Sequence, residues 1–528
     1  MEDPGIGTPG PGAAARPVKL ASIAALLAGS VFLSRVIGYF REVALANRVG
    51  AGFEADAYSA AFMLPDLLNY LLAGGALTIA FLPLYVRVLN TRGEQAAGRL
   101  FATVLGTLGV VGVLATIAIW WTADALVALQ YPRFSEETRS VTVALTRIVL
   151  PAQAFFLTGG VIRAVLMAEG RFVAHAVAPL IYNACIITGG LASGRVEGFA
   201  WGALVGAIAG PWLVPLIDLA RTQRVRVRFA PFDRDFRQYL WLALPLMLGQ
   251  SLLTVDEWYE KWFGGLLATG TVAQLGYARR LMLVPVAVVG QAIATATLPT
   301  LTELWARGRH DELDRTLLRT IQASMALALV GGMALWVFAT PLVELVYHHG
   351  RFTAEAAAGV SAILAVLAFA VPGWVLQQIS VRAFYAREET WRPMLLGSAM
   401  VLGAIPVYLA LGRRFGATGL AAAGALAITG NGLATLAWAR LRYGGPSLSA
   451  LAVSVARGAL VAALAGVAAH AVRLQQPGRT GALTDLALGG LVFAVVVALA
   501  ARMLGDDVMR EALRRITGRL LRLVRRRA

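Results

Sequence analysis

Residues 20–46 read LASIAALLAGSVFLSRVIGYFREVALA. Fifteen uncharged residues lead to Arg35, and Arg41 and Glu42 follow before the run ends. A bilayer span needs about 20 mostly apolar residues, which this run supplies. At about 1.5 Å of rise per residue, Arg35 falls past the midplane of such a helix. A centred arginine costs about 2.5–3.5 kcal/mol on the insertion scale, so it must face water or a partner. The stretch therefore predicts a membrane helix with a polar side turned inward. Apolar segments of the same kind follow one another from about Val18 to Leu504. Of the 528 residues, 58% are hydrophobic and 15% are charged. A soluble protein has about 25% charged residues, so a large soluble enzyme is excluded.

Fourteen spans are expected, near 20–46, 55–88, 99–128, 140–168, 173–193, 197–220, 238–266, 273–304, 316–340, 356–386, 392–412, 416–440, 449–472 and 483–504. An even number puts both termini on one side. The loop after the second span carries Arg87, Arg92 and Arg99, and that after the sixth carries Arg221, Arg224, Arg226, Arg228, Arg234 and Arg237. Arg307, Arg309 and Arg315 follow the eighth, and Arg387 and Arg392 flank the turn after the tenth. Alternate loops are poorer: Arg195 follows the fifth span, and no Lys or Arg lies from Ala268 to Ala278. This bias predicts cytoplasmic termini. It also assigns the net charge of +17 to membrane lipids rather than nucleic acid. Residues 1–19, rich in Gly, Pro and Ala near the start, read as a cytoplasmic tail without a signal peptide. Residues 506–528 alternate in helical rhythm and end in Arg525–Arg527, which predicts a basic amphipathic helix on the inner leaflet. The one cysteine, Cys185, allows no disulfide within the chain and no cysteine metal cluster.

The chain also repeats itself. Phe134-Ser135-Glu136-Glu137 matches Phe352-Thr353-Ala354-Glu355 at an offset of 218. Arg163 with Glu169 matches Arg382 with Glu388 at 219, Leu82-Pro83 matches Leu298-Pro299 at 216, and Gly29 matches Gly249 at 220. The repeat covers six spans, an even number, so the copies share one orientation. Two lobes, 20–222 and 223–445, are expected around a central cavity, with the last two spans, 446–505, added outside the repeat. Gly38, Pro65, Gly74, Gly75, Pro83, Pro285 and Pro299 are candidate hinges. Interrupted helices in matching places point to a substrate path, against the plainer reading of ordinary kinks.

The charges inside spans carry the function. Arg35 and Arg41 are expected to face water or a partner, against the plainer reading that Arg41 snorkels to the outer headgroups, and Glu42, seven residues after Arg35, shares its face. The seventh helix carries Asp256, Glu257, Glu260 and Lys261. These could pair with Arg35 or Arg41, take part in gating, or bind a coupling cation; alternatively they mark the outer end of the helix. Of the adjacent Arg279 and Arg280, one can face the cavity and the other the headgroups. Asp56 opens the second helix, where a carboxylate suits the helix dipole. Arginine forks match phosphate oxygens, so the cavity suits a pyrophosphate better than a hydrophobic cation.

Ser34-Arg35-Val36-Ile37-Gly38-Tyr39-Phe40-Arg41-Glu42 resembles the first-helix motif of the MurJ (MviN) flippases. Gly50-Ala51-Gly52, Ala55-Asp56-Ala57, Leu64-Pro65-Asp66-Leu67-Leu68 and Ala80-Phe81-Leu82-Pro83 continue the likeness. So do Tyr277-Ala278-Arg279-Arg280-Leu281, Pro285, Leu298-Pro299 and Gly350-Arg351-Phe352-Thr353. The resemblance implies a bacterial inner-membrane protein of the MOP exporter superfamily, involved in peptidoglycan synthesis. Its task would be to flip lipid II, the undecaprenyl-pyrophosphate-linked cell-wall precursor, by alternating access. It implies Arg35, Arg41, Arg280 and Asp56 as substrate-binding residues, and a groove for the isoprenoid tail along the last two helices. Some positions depart from the family: Asn69 and Tyr70 stand where it often has arginines, and Ala73-Gly74-Gly75 where it often has Ala-Glu-Gly. Arg279 replaces an acid, and 391–411 offers no Asp, Glu or Asn for sodium.

A Wzx-like flippase for other undecaprenyl-linked oligosaccharides would need the same cavity. A MATE-type antiporter would favour buried carboxylates over inward arginines. A membrane glycosyltransferase or ligase would need a catalytic carboxylate and commonly a large outer domain. The chain is therefore expected to be a transporter, not an enzyme, with no metal or cofactor. A coupling cation or the membrane potential would drive it, and one chain would suffice. His348-His349 reads as a surface loop.

Overall fold

A computed structural model describes residues 17–72, 80–222, 225–253, 255–474, 476, 478–505 and 507–511. All regular structure among them is helical. Nine of the described helices are long and apolar enough to cross a membrane. A tenth is gained if Ala354–Leu367 and Ala370–Tyr385, bent by 44°, form one span. The described residues of the segments placed from the sequence are largely helical. The fold is that of a multi-pass α-helical membrane protein.

The first half runs α1 (Pro17–Val49), α2 (Phe53–Ala61), α3 (Met63–Leu72), α4 (Leu82–Gln130), α5 (Glu136–Val149), α6 (Ala152–Ala168), α7 (Val173–Ser193), α8 (Val196–Ala207) and α9 (Val214–Ala220). The second runs α10 (Arg234–Leu253), α11 (Val255–Gly264), α12 (Thr271–Pro285), α13 (Ala292–Ala306), α14 (His310–Val337), α15 (Ala339–Val346), α16 (Ala354–Leu367), α17 (Ala370–Ser380), α18 (Arg382–Tyr385) and α19 (Trp391–Tyr443). Then come α20 (Leu448–Ala471), α21 (Gly478–Thr484) and α22 (Gly490–Leu504). Two very long helices are each two spans joined at a glycine. Gly93 (φ 78°, ψ 176°) breaks α4 and Gly416 (φ 61°, ψ −138°) breaks α19, in backbone regions that a side chain would disfavour.

Local chemistry repeats along with the sequence. Ser135 caps α5 by accepting from the Thr138 N–H at 3.2 Å, and Thr353 caps α16 by accepting from the Ala356 N–H at 3.2 Å. Such a side-chain oxygen satisfies a donor that the first helical turn leaves unpaired. Each capped helix then breaks at corresponding places, after Val149 and after Leu367. In the first lobe α1 packs on α7, α7 on α8, α4 on α6 and α2 on α5. In the second, α12 packs on α16, and α17 on both α14 and α19. α20 lies against α14 and α22, and α21 against α15.

Packing does not follow the lobe boundary expected at 222/223. α10 rests on α3 and α4 of the first lobe, burying Phe236, Tyr239 and Ala243 against Phe81, Leu84 and Tyr85. Arg92 and Asp235 close this contact at 2.8 Å. The chain ahead of α10 is held too: the Arg228 N–H donates to the Ala102 carbonyl at 2.9 Å. α10 also packs on α19 of the second lobe, as α11 does together with α12. The seventh span therefore touches both lobes, with the apolar face at the start of α10 buried on α4.

Of the hinge candidates, Pro285 ends α12 where a π-helical turn, Val286–Gln291, begins. Pro65 sits just past the break between α2 and α3, and Pro83 in the first turn of α4. Pro299 lies inside α13 without a break, and Gly38 inside α1 beside Asn183. Gly74 and Gly75 lie outside the described residues, as do 1–16, 506 and 512–528 of the two tails. A side chain at Gly159 of α6 would overlap the Pro211 carbonyl in the π-helical turn between α8 and α9. Gly159→Val should therefore destabilise the purified protein by about 1–3 kcal/mol, read as a lower melting temperature in detergent. An unchanged melting curve would contradict the close approach.

Candidate functional site

The two lobes meet at the arginine-poor ends of their helices. Asp56 on α2 is 2% exposed and reaches across the seam to the first turn of α12. Its carboxylate accepts from the Gly270 N–H at 2.5 Å and the Ala273 N–H at 2.7 Å. These donors have no partner within their own helix, and the positive end of the helix dipole faces the charge. Around this cap, the Tyr277 hydroxyl donates to the Gly50 carbonyl at 3.0 Å. The Arg351 N–H donates to the Asn47 carbonyl at 2.9 Å, and Glu54 pairs with Arg351 at 3.3 Å. Gly270, at φ +91°, brings its backbone onto the Ala51 carbonyl, where a Cβ would come within 2.5 Å. Asp56 was expected among the substrate-binding residues. Both its oxygens are instead used on backbone amides of the opposite lobe, so it seals the seam.

Deeper in the seam, three of the expected charges come together. Arg41 turns its fork onto Glu42, with Nε 3.1 Å and Nη2 2.7 Å from Oε1. Arg280, on α12, pairs with the same oxygen from the other lobe. Glu42 Oε2 is buried and has no hydrogen-bond partner. The remaining arm of Arg41 donates to Asn183 Oδ1 of α7 at 3.0 Å. Farther along α1, Arg35 donates to Gln291 Oε1 of the second lobe at 2.8 Å. Arg35 and Gln291 are both exposed, although each lies well inside a long apolar helix. A guanidinium that stays exposed at that depth calls for water, which marks this side of the seam as the candidate gap between the lobes. The side chains of Arg41 and Arg280 stay 26% and 39% exposed while that of Glu42 is 6% exposed. The arginines are thus more open than the carboxylate they share.

This site can now be compared with known proteins. The lipid II flippase MurJ family model matches residues 45–484. The chain belongs to the lipid II flippase MurJ family. A probable lipid II flippase MurJ of Rhizobium meliloti (strain 1021) is 29% identical over 503 residues, covering 90% of this chain and 92% of the relative. The lipid II flippase MurJ of Burkholderia cenocepacia is 27% identical over 395 residues, covering 71% and 75%. A solved lipid II flippase MurJ in an inward closed conformation superposes with a TM-score of 0.76 at 20% identity, over 91% of this chain and 99% of that one. An inward-facing MATE multidrug transporter of the MOP superfamily gives 0.66 at 16% identity, over 79% and 95%. These two likenesses establish the shared fold.

In this MurJ-family chain the described acids of the seventh span, Glu257 and Glu260, have ion-pair partners within their own lobe. Glu260, 3% exposed, pairs with Arg279 at 2.7 Å. Arg279 also stacks over Trp374, 5.7 Å from the ring centre. Glu257 pairs with Lys261 one turn on at 3.0 Å. The pairing follows from helix rotation: α11 packs on α12, so its buried face meets the inward side of Arg279. Arg279 and Arg280 do not divide between cavity and headgroups: Arg279 turns onto Glu260 and Arg280 onto Glu42. Asp66 of α3 lies in the field of Lys261, Glu257 and Arg41, which links the two charged clusters. The side chain of Asp256 lies outside the described residues. His348 contacts Glu344 at 2.6 Å on α15. Asn183, Gln291 and Asp66 were not singled out as site residues. The cost argument applied to Arg35 would have found them, since each is a lone polar group in an apolar stretch.

Two predictions follow from these contacts. Asp56→Ala removes a helix cap and an inter-lobe tie, a loss of about 1 kcal/mol. It should raise the labelling rate of a cysteine placed at Thr269 in whole cells; a rate equal to that of the parent protein would contradict the seal. Removing Arg279 alone leaves Glu260 buried with less compensation, and breaking a buried pair costs about 3–5 kcal/mol. Arg279→Ala should therefore lower the melting temperature more than the double variant Arg279→Gln with Glu260→Gln. The reverse order would contradict the pairing.

Proposed function

We propose that this chain moves lipid II, the undecaprenyl-pyrophosphate-linked peptidoglycan precursor, from the inner to the outer leaflet of the bacterial cytoplasmic membrane. The reading rests on family membership together with one observation: Arg41 and Arg280, from opposite lobes, converge beside a gap that also holds Arg35. Guanidinium forks bind phosphate oxygens with charge-assisted hydrogen bonds. The arginine-poor ends are taken as the outer side and both termini as cytoplasmic, in line with the loop charges. With the outer seam sealed by Asp56, Tyr277 and Asn47, the described state receives substrate from the cytoplasmic side. Rocking of one lobe against the other would then expose the headgroup outside. One chain supplies both lobes, so a monomer suffices. A free coupling cation at α11 would have to compete with Lys261 and Arg279 for the same acids, which favours the membrane potential as the driving force. The glycan itself meets none of these arginines, so a related undecaprenyl-linked oligosaccharide would satisfy them equally.

The test is rescue of cells depleted of their own lipid II flippase, scored by growth and by lipid II accessible at the outer face. The chain should restore both. Arg41→Ala should abolish rescue at a membrane abundance matching that of the parent. Arg41→Lys should restore only part, because an ammonium lacks the fork. Full rescue by Arg41→Ala would overturn the assignment.

A further inference from the structure

We propose that Glu42 is a built-in counter-ion that occupies the anion site when no substrate is bound, and that an incoming phosphate takes its place and thereby loosens the two lobes. This rests on the anionic-headgroup reading above. Three observations carry it. One oxygen of Glu42 accepts from Arg41 of the first lobe and Arg280 of the second, so a single carboxylate ties the halves together. The fork edge of Arg41, Nε with Nη2, is spent on that oxygen, and its other arm on Asn183. A phosphate seeking a two-point contact with Arg41 must therefore compete with Glu42. The second oxygen, Oε2, is buried without a partner, so the carboxylate is held on one side only.

The geometry also gives a direction. Arg41 and Arg280 are more open than Glu42, so substrate reaches the arginines first. Two guanidinia against one carboxylate leave a net positive charge, and the exposed Arg35 adds to it. As phosphate oxygens take over the guanidinium donors, the pull of Arg280 on Glu42 falls. The link lies on the same helices, α1 and α12, that carry Asn47 and Tyr277 of the outer seal. Loading the site would thus weaken the closure that must open next. An empty carrier would stay shut on the outside, because Glu42 holds it.

The test uses the full-length protein in detergent, with inorganic pyrophosphate as the probe. Spin labels go at the exposed positions Gly52 and Ala354, through Gly52→Cys and Ala354→Cys in a Cys185→Ser background that still rescues growth. In the parent, pyrophosphate should lengthen the inter-lobe distance. In Glu42→Gln the distance should be long without ligand, and calorimetry should show pyrophosphate bound roughly tenfold more tightly, about 1.4 kcal/mol. Weaker or unchanged binding in Glu42→Gln would show that Glu42 only positions Arg41, and would overturn the proposal. So would an unchanged distance in the parent at saturating pyrophosphate, which decides the matter even if Glu42→Gln does not fold. Rescue by the parent alongside untightened binding in Glu42→Gln would sink the counter-ion and keep the flippase reading. Tightened binding and lobe release without rescue would do the opposite.

Discussion

A guanidinium carried into hydrocarbon must be met by an acceptor or by water, and this molecule is arranged around four of them. Arg35 is met by Gln291 and stays exposed. Arg41 and Arg280 share Glu42, and Arg279 has Glu260 and the face of Trp374. All of these contacts except Arg41–Glu42 cross between different helices. The charges therefore do more than tolerate the membrane: their pairing fixes how close the lobes stand. Desolvation makes such pairs weak sources of net stability, while loss of one partner is costly. That asymmetry suits a carrier, since an exchange of partners costs little when every charge stays met.

The seal around Asp56 works on a different principle. It is built on backbone groups: Asp56 on two amides, Tyr277 and the Arg351 amide on carbonyls. Backbone donors at a helix start and carbonyls at a helix end are the groups that water would satisfy if the lobes separated. The seal can open to solvent without stranding a charge in hydrocarbon. At the deeper contact only the arginines are partly open, while Glu42 is buried between them.

Composition and the spacing of apolar runs made the membrane fold legible, because a span needs only length and hydrophobicity. The repeat was legible for a similar local reason. Ser135 and Thr353 cap helices with their own side chains, and Gly93 and Gly416 break helices by their own backbone freedom. The inward arginines were legible because their cost does not depend on where the other helices lie. Partner choice was not legible. Glu260 meets Arg279 rather than Arg41 because α11 packs on α12, and that contact is made by residues remote from the pair. Asp56 read equally well as a site residue or a cap, and only the position of α12 across the seam decides between them.

The amino-acid sequence by itself determined that this chain crosses a membrane repeatedly, that it is built from two related halves, and that Arg35, Arg41 and Arg280 carry charge within spans. Each of these follows from an energy assigned residue by residue: transfer of an apolar run, strain at a backbone angle, or the cost of a charge away from water. The tertiary structure alone decided that one oxygen of Glu42 serves both lobes, that Asp56 caps a helix of the opposite half, and that α10 rests on the first lobe. These depend on the rotation and offset of packed helices. Such settings come from the fit of many side chains at once, and no single stretch of sequence contains them.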